Sequence, residues 1–233
     1  MPVSINDIIR IELEKEEILL AVNRAKNHNF KDNLRYRHPN VSFDSKLRGY
    51  IGEIAVKKWL NSYGIIVSTE NYVEDGCFID IDLLYRGKTK TLDLELKTSL
   101  IPDADENLEN VIKNRDIKLI RRGNNCIEEL KSDVHIQIFF KQLSVKKDEW
   151  LKHLEFNIEE SSAEEIYSCF AADRYRNDTY LCAWIDKETL CSQIASKKLS
   201  DQKWNFGLRE FWTCKLSKDA KKPIELIEFL SNI

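Results

Sequence analysis

Two neighbouring stretches of this chain hold the residue types that metal-assisted phosphodiester chemistry uses. Residues 77–85 read CFIDIDLLY and residues 91–98 read TLDLELKT, so Asp80, Asp82, Asp93, Glu95 and Lys97 alternate with Ile79, Ile81, Leu83, Leu92, Leu94 and Leu96. Alternation at period two puts the charged set on one face of a strand pair and the apolar set on the other. The intervening RGKTK is the turn of an antiparallel hairpin. With that turn centred on Gly87 and Lys88, Asp82 faces Asp93 and Asp80 faces Glu95. Asp82 and Glu95 are then diagonal neighbours, with Cβ atoms about 7–8 Å apart, a gap that two carboxylates close on a shared hard cation. Mg²⁺ takes oxygen ligands and keeps several waters, so two carboxylates suffice while phosphate oxygens and water complete the shell. Lys97, on the same face as Glu95, would set an ammonium beside a scissile phosphate, where it orients water or offsets developing charge.

A half-exposed hairpin shows the same alternation for solubility alone. The preceding stretch, residues 47–64, reads LRGYIGEIAVKKWLNSYG and adds weight to the chemical reading. Gly49 and Gly52 stand inside a strong helix, where each costs about 1 kcal/mol relative to alanine, so close backbone approach to a neighbour is expected at both. Glu53 follows the second glycine, and a helix packed closely through that edge delivers its carboxylate to the metal cluster, directly or through water.

The run GYIGEIAVKKWLNSYG, followed by DIDLLYRGKTKTLDLELKTS, resembles the PD-(D/E)xK or restriction-endonuclease-like superfamily. Within it, the run is similar to small resolvase-like nucleases with the pattern G-x-x-G-E-x-x-A, then I-D-L, then a hydrophobic-E-hydrophobic-K-T strand. The resemblance covers about residues 47–99, and the spacing of 13 between Asp82 and Glu95 also fits it. It implies that Glu53 is the helix glutamate, Asp82 the metal-binding aspartate, Glu95 the second acidic ligand and Lys97 the catalytic lysine. It further implies an α/β fold with an αβββαβ core, a central mixed sheet flanked by helices, N- and C-terminal helical additions, and Mg²⁺ as cofactor with Mn²⁺ as substitute. VHIQIFF (residues 134–140) and YLCAWI (residues 180–185) resemble the later core strands. Asp80 and Asp93 match nothing in the motif and read as flanking polar positions, with Gln137 a candidate site-lining residue. Past residue 100 the chain departs from the small members, with a long acidic-then-basic insertion and more than 40 residues after YLCAWI. The leading expectation is a restriction-type DNA endonuclease acting on duplex as a homodimer, since the added length suits a specificity element. A structure-selective, junction-resolvase-like nuclease and a non-catalytic nucleic-acid-binding protein of the same fold are the alternatives.

The elements that must position these residues follow from periodicity. Residues 4–27 open Ser-x-x-Asp and carry Ile8, Ile11, Ile18, Leu19 and Val22 at helical spacing. Residues 29–41 form a basic, aromatic loop, residues 44–62 a second helix stopped at Gly64, and residues 163–170 and 224–230 later helical segments. We divide a single nuclease domain into an N-terminal helix and basic arm (1–43), a catalytic core (44–190) and a C-terminal extension (191–233).

A net charge of −3 is not that of a uniformly basic nucleic-acid binder, so contact with a polyanion is expected to be local. Arg35 and Arg37 in one stretch, Lys113, Arg115, Lys118, Arg121 and Arg122 in another, and residues 174–180 in a third combine cations with aromatic or amide groups. The second is preferred because it follows the strand carrying Glu95 and Lys97. Six scattered cysteines and four histidines lack zinc or disulfide spacing, and the tryptophans at 150, 184, 204 and 212 read as core or subunit contacts. No Gly-rich phosphate loop is present, which argues against a nucleotide cofactor. No apolar run approaches the roughly 20 residues of a membrane span, and the expected location is the cytoplasm.

Overall fold

The computed structural model describes residues 3–28, 37–74, 77–120, 130, 132–171, 175–195, 203–206 and 209–233. Of these, 70–74, 77–82, 120, 194–195, 203–206 and 209–210 are described as backbone alone. After a single 3-10 turn at Ile5–Asp7 come β1 (Ile9–Ile11), α1 (Lys15–Asn27), α2 (Pro39–Ser62), β2 (Val67–Glu74), β3 (Cys77–Arg86), β4 (Thr91–Ile101) and α3 (Leu108–Asn114). They are followed by β5 (Leu119–Ile120), β6 (Val134–Leu143), α4 (Ser144–His153), α5 (Ala163–Ile166), β7 (Thr179–Asp186), α6 (Lys187–Ala195), β8 (Lys203–Phe206), β9 (Arg209–Trp212) and α7 (Glu225–Ser231).

The fold is α/β, built on a mixed six-stranded sheet in the order β1-β7-β6-β4-β3-β2, with a second sheet in the order β5-β9-β8. β2, β3 and β4 form an antiparallel meander, and β6 lies parallel to β4. A parallel neighbour requires a crossover, which the chain makes through α3 and β5. Strand alternation then divides the core in two. Leu83, Leu94, Ile136 and Ile138 pack with Leu47, Ile51 and Val56 of α2 on one face. On the other, Phe139, Ala183 and Ile185 pack with Val111, Ile117 and Trp212.

α2 begins earlier than its periodicity suggests, because Pro39 occupies the first helical turn, where its missing N–H costs nothing. It ends as expected at Gly64, whose φ of 74° suits a residue without Cβ. The N-terminal expectation changes more. Ser4 and Asp7 do form a capping box, but it caps only the 3-10 turn. Ile9–Ile11 instead leave helical geometry and pair with Leu181, Tyr180 and Thr179 of β7. β-Branched residues at these positions satisfy both periods, and the free edge of a sheet decides between them.

The two glycines of α2 behave differently. A Cβ on Gly52 would meet Thr98 Cγ2 at 2.6 Å and Ile138 Cδ1 at 3.1 Å, so the helix lies against β4 and β6 at the distance only glycine permits. Gly49 is exposed with nothing within 4 Å, so the close approach expected there does not occur. Further toward the N-terminus, buried Asp44 ties α2 to its surroundings. Its Oδ1 accepts from Tyr175 Oη at 2.6 Å and pairs with Lys147 Nζ of α4 at 2.8 Å, and its Oδ2 accepts from Arg48 Nε at 2.9 Å. Burial pushes the Asp44 carboxyl up, but the Lys147 and Arg48 cations outweigh it and hold it below the ordinary aspartate value.

Gly52→Ala is therefore expected to lower stability by about 1–3 kcal/mol. Gly49→Ala, with open space around it, is expected to gain up to about 1 kcal/mol. Urea unfolding of the two variants against the parent checks the contrast, and equal effects would contradict it. Because the folded-state pKa of Asp44 is depressed, its contribution is complete above the unfolded value of 3.8 and is lost as pH falls through the folded value. Asp44→Asn leaves Lys147 buried without its counter-charge. The expected cost at neutral pH is about 3–5 kcal/mol, with a flatter loss of stability below pH 4 in acid titration of the unfolding midpoint.

Candidate active site

β4 is the element on which the site is built. On one side it pairs with β6 from Leu94 to Ile101, bringing Glu95 beside His135 and Lys97 beside Gln137. On the other it pairs with β3 over only Leu83↔Leu94 to Arg86↔Thr91. Beyond that point β3 continues to pair with β2, through Glu70↔Asp82 and Asn71↔Ile81, so the β2–β3 hairpin leaves β4 where Glu95 begins.

This register corrects the one expected from sequence. The turn occupies residues 87–90, closed by Gly87 N–H donating to Lys90 O at 3.0 Å, and is centred one residue later than Gly87–Lys88. Gly87 is needed not for turn conformation but because Ile233 packs on it, with Cγ2 2.5 Å from where a Cβ would stand. The shift moves each pairing by two positions, so Leu84, not Asp82, faces Asp93. The ladder ends at Leu83↔Leu94, so the backbone of Asp82 and that of Glu95 are each one residue past its last pair. The side chains of Asp80 and Asp82 lie outside the described residues.

Glu95 and Lys97 come together as expected. Lys97 Nζ pairs with Glu95 Oε1, the two side chains being 18% and 10% exposed. Glu95 Oε2 is bonded to His135 Nδ1 at 2.7 Å. Burial pushes the Glu95 carboxyl up, but His135 and Lys97 prevail and hold it down at about 2. Glu95 is thus a fully ionised carboxylate on a slightly open strand, a fitting ligand for a hard cation. Asp93, on the same face, has its pKa raised by burial and by the charges of Asp133 and Glu95, which suits it less to bind a cation. A recess lined by Lys90, Leu92, Asp133, Asp186 and Lys187 adjoins it and does not include Glu95.

Glu53 is placed on the other face. It is 3% exposed, and its Oε1 accepts from Arg24 Nη1 at 2.7 Å and Thr69 Oγ1 at 2.8 Å. Thr98, against which Gly52 packs, alternates with Lys97, so α2 and its glutamate approach the sheet from the side opposite to Glu95. Among the described residues no three of His, Cys, Asp and Glu gather as a metal-holding group. The expected joining of Glu53 to Glu95 in one cluster is therefore not seen in the described side chains. Two observations keep Glu53 near the metal question. Its Oε2 is buried without a hydrogen-bond partner among the described residues, and Thr69 pairs with Leu83, one residue from Asp82.

The basic stretches divide likewise. Arg35, Arg121 and Arg122 lie outside the described residues. Arg37 Nη1 donates to Ser45 Oγ at 3.3 Å, Lys113 is exposed in the last turn of α3, and Arg115 pairs with buried Asp105. Lys118 lies beside the site through Gln137, whose Oε1 accepts from the Lys118 N–H at 3.2 Å. Gln137 Nε2 in turn donates to Lys97 O at 3.0 Å and Ser99 Oγ at 3.2 Å. Gln137 is thus a buried tie that fastens the segment after α3 to β4, where sequence made it a lining residue. His135 escaped notice because its partnership with Glu95 is set by the parallel β4–β6 register, which no local pattern encodes.

No family model, no curated protein and no solved structure matches the chain. Gln137→Leu is expected to destabilise by about 1–3 kcal/mol, since it leaves buried donors and acceptors unsatisfied. The Lys118 amide should lose its protection in hydrogen exchange, and unchanged protection there would contradict the tie.

Proposed function

We propose that the chain is a Mg²⁺-dependent DNA endonuclease of the PD-(D/E)xK, restriction-endonuclease-like kind. The observation that carries this reading is the Glu95–Lys97 pair on β4, at the point where the ladder with β3 ends and no strand pairs with that flank among the described residues. The order α2-β2-β3-β4-α3-β5-β6 supports it, being, apart from the two-residue β5 of the second sheet, the helix, three strands, helix and strand that the resemblance implies.

In this reading Glu95 and Asp82 hold the ion, with Mn²⁺ an acceptable substitute, while Glu53, buried on the opposite face, supports β2 through Thr69. Glu95 and Asp82 would hold the cation there, and its chemistry when bound would be Lewis-acid polarisation of the phosphate and activation of water. Lys97 presents an ammonium with up to three donors to the phosphate, stabilising negative charge as it grows on the non-bridging oxygens. The segment fastened by Gln137 brings Lys113 and Lys118 to the same side of the sheet, as sequence-independent phosphate contacts. One such site cuts one strand, so restriction-type cleavage of duplex calls for a homodimer related by a two-fold axis.

The test is incubation with Mg²⁺ on long unmethylated duplex, a four-way junction and single-stranded DNA, using the parent protein, Glu95→Ala and Lys97→Ala. Discrete duplex fragments are expected from the parent, with each variant slower by at least about 100-fold. Equal cleavage by all three proteins would place the chemistry elsewhere, and nicking of the junction alone would reassign the substrate.

A further inference from the structure

We infer that His135 is a positioning residue that locks one oxygen of Glu95 and so presents this carboxylate to a cation through its other oxygen alone. The inference rests on the metal-dependent reading above and specifies how this chain's own residues prepare the ligand. His135 is wholly buried on β6, in register with Glu95, and its Nδ1 lies 2.7 Å from Glu95 Oε2. It stands in register with Ile185 of β7, and Nε2 has no hydrogen-bond partner among the described residues. Glu95 is therefore the partner that fixes the tautomer, with the proton on Nδ1 and the carboxylate accepting.

Rotation of Glu95 about its terminal bond would break that bond inside the core, so Oε2 stays where it is. Oε1 faces Lys97, two residues along the same strand and 18% exposed. A carboxylate free to turn could chelate a cation through both oxygens or swing away from it, whereas one held by a buried ring offers a single oxygen in a fixed direction. That is the geometry a small octahedral ion accepts more readily than a bidentate grip. β6 acts as a template twice over, since two residues on it carries Gln137, which holds the backbone carbonyl of Lys97.

Mn²⁺ binding to the metal-free protein, measured by titration calorimetry and by loss of the free-ion spin-resonance signal, tests the inference without reference to turnover. Four variants are compared with the parent, each checked for cooperative thermal unfolding. Asparagine sets an amide nitrogen where Nδ1 stands, glutamine moves it toward the Nε2 position, and leucine removes it. His135→Leu and His135→Gln are expected to bind Mn²⁺ roughly 10–100-fold more weakly, and His135→Asn within about threefold of the parent. Glu95→Gln is expected to lose the site. If Glu95→Gln binds Mn²⁺ as the parent does, or the parent binds none, the metal-dependent reading fails and this inference with it. If Glu95→Gln loses a site that the parent has while His135→Gln and whichever of the other two variants folds bind like the parent, the positioning role alone is overturned.

Discussion

The unequal pairing of β4 is the constraint on which the rest of the site depends. Its full parallel ladder with β6 buries one flank of Glu95 against His135 and anchors the carbonyl of Lys97 through Gln137. Its short ladder with β3 leaves the other flank of the same residues without a neighbouring strand among the described residues. The β2–β3 hairpin departs at Leu83, so Glu95, buried to about nine-tenths, is held from the β6 flank alone.

That arrangement has an electrostatic consequence. Burial alone would push Glu95 toward its neutral form, yet its bonds to His135 and Lys97 hold it ionised, while for Asp93, two residues earlier, burial and the charges of Asp133 and Glu95 prevail and push it the other way. Neighbouring acidic residues on one face are thus differentiated by partners drawn from different strands. α2 contributes from the opposite face. Its close packing through Gly52 sets Glu53 against Thr69 and Arg24, within one residue in register of Asp82. The cost of keeping Asp44 and Glu95 ionised in a low-dielectric interior is offset by cations at hand, Lys147 from α4 for Asp44 and Lys97 from the same strand for Glu95.

Much of this was legible in the sequence, and the remainder fails for identifiable reasons. Alternation in CFIDIDLLY and TLDLELKT was enough to assign the strands and the faces of Glu95, Lys97, Leu83 and Leu94, because a period of two survives any even register shift. The shift itself was hidden, since Gly87 marks the contact with distant Ile233 rather than the turn centre. The isoleucines at 8, 9 and 11 fit a helix as well as a strand, and only the free edge of β7 resolves them. His135 and Gln137 could be read as strand residues, but their ties to β4 and to Lys118 arise from the parallel crossover. Glu53 was found as a residue of interest from its glycine neighbour, although the face it occupies follows from the alternation of Thr98 with Lys97.

The account turns on whether a divalent cation is held at Glu95. Crystals of the protein grown with Mn²⁺, measured at a wavelength where manganese scatters anomalously, would decide it directly. An anomalous peak is expected about 2–2.5 Å from Glu95 Oε1, with Asp82 a second ligand and Lys97 turned from the carboxylate. Manganese bound only elsewhere, with Lys97 still paired to Glu95, would contradict it.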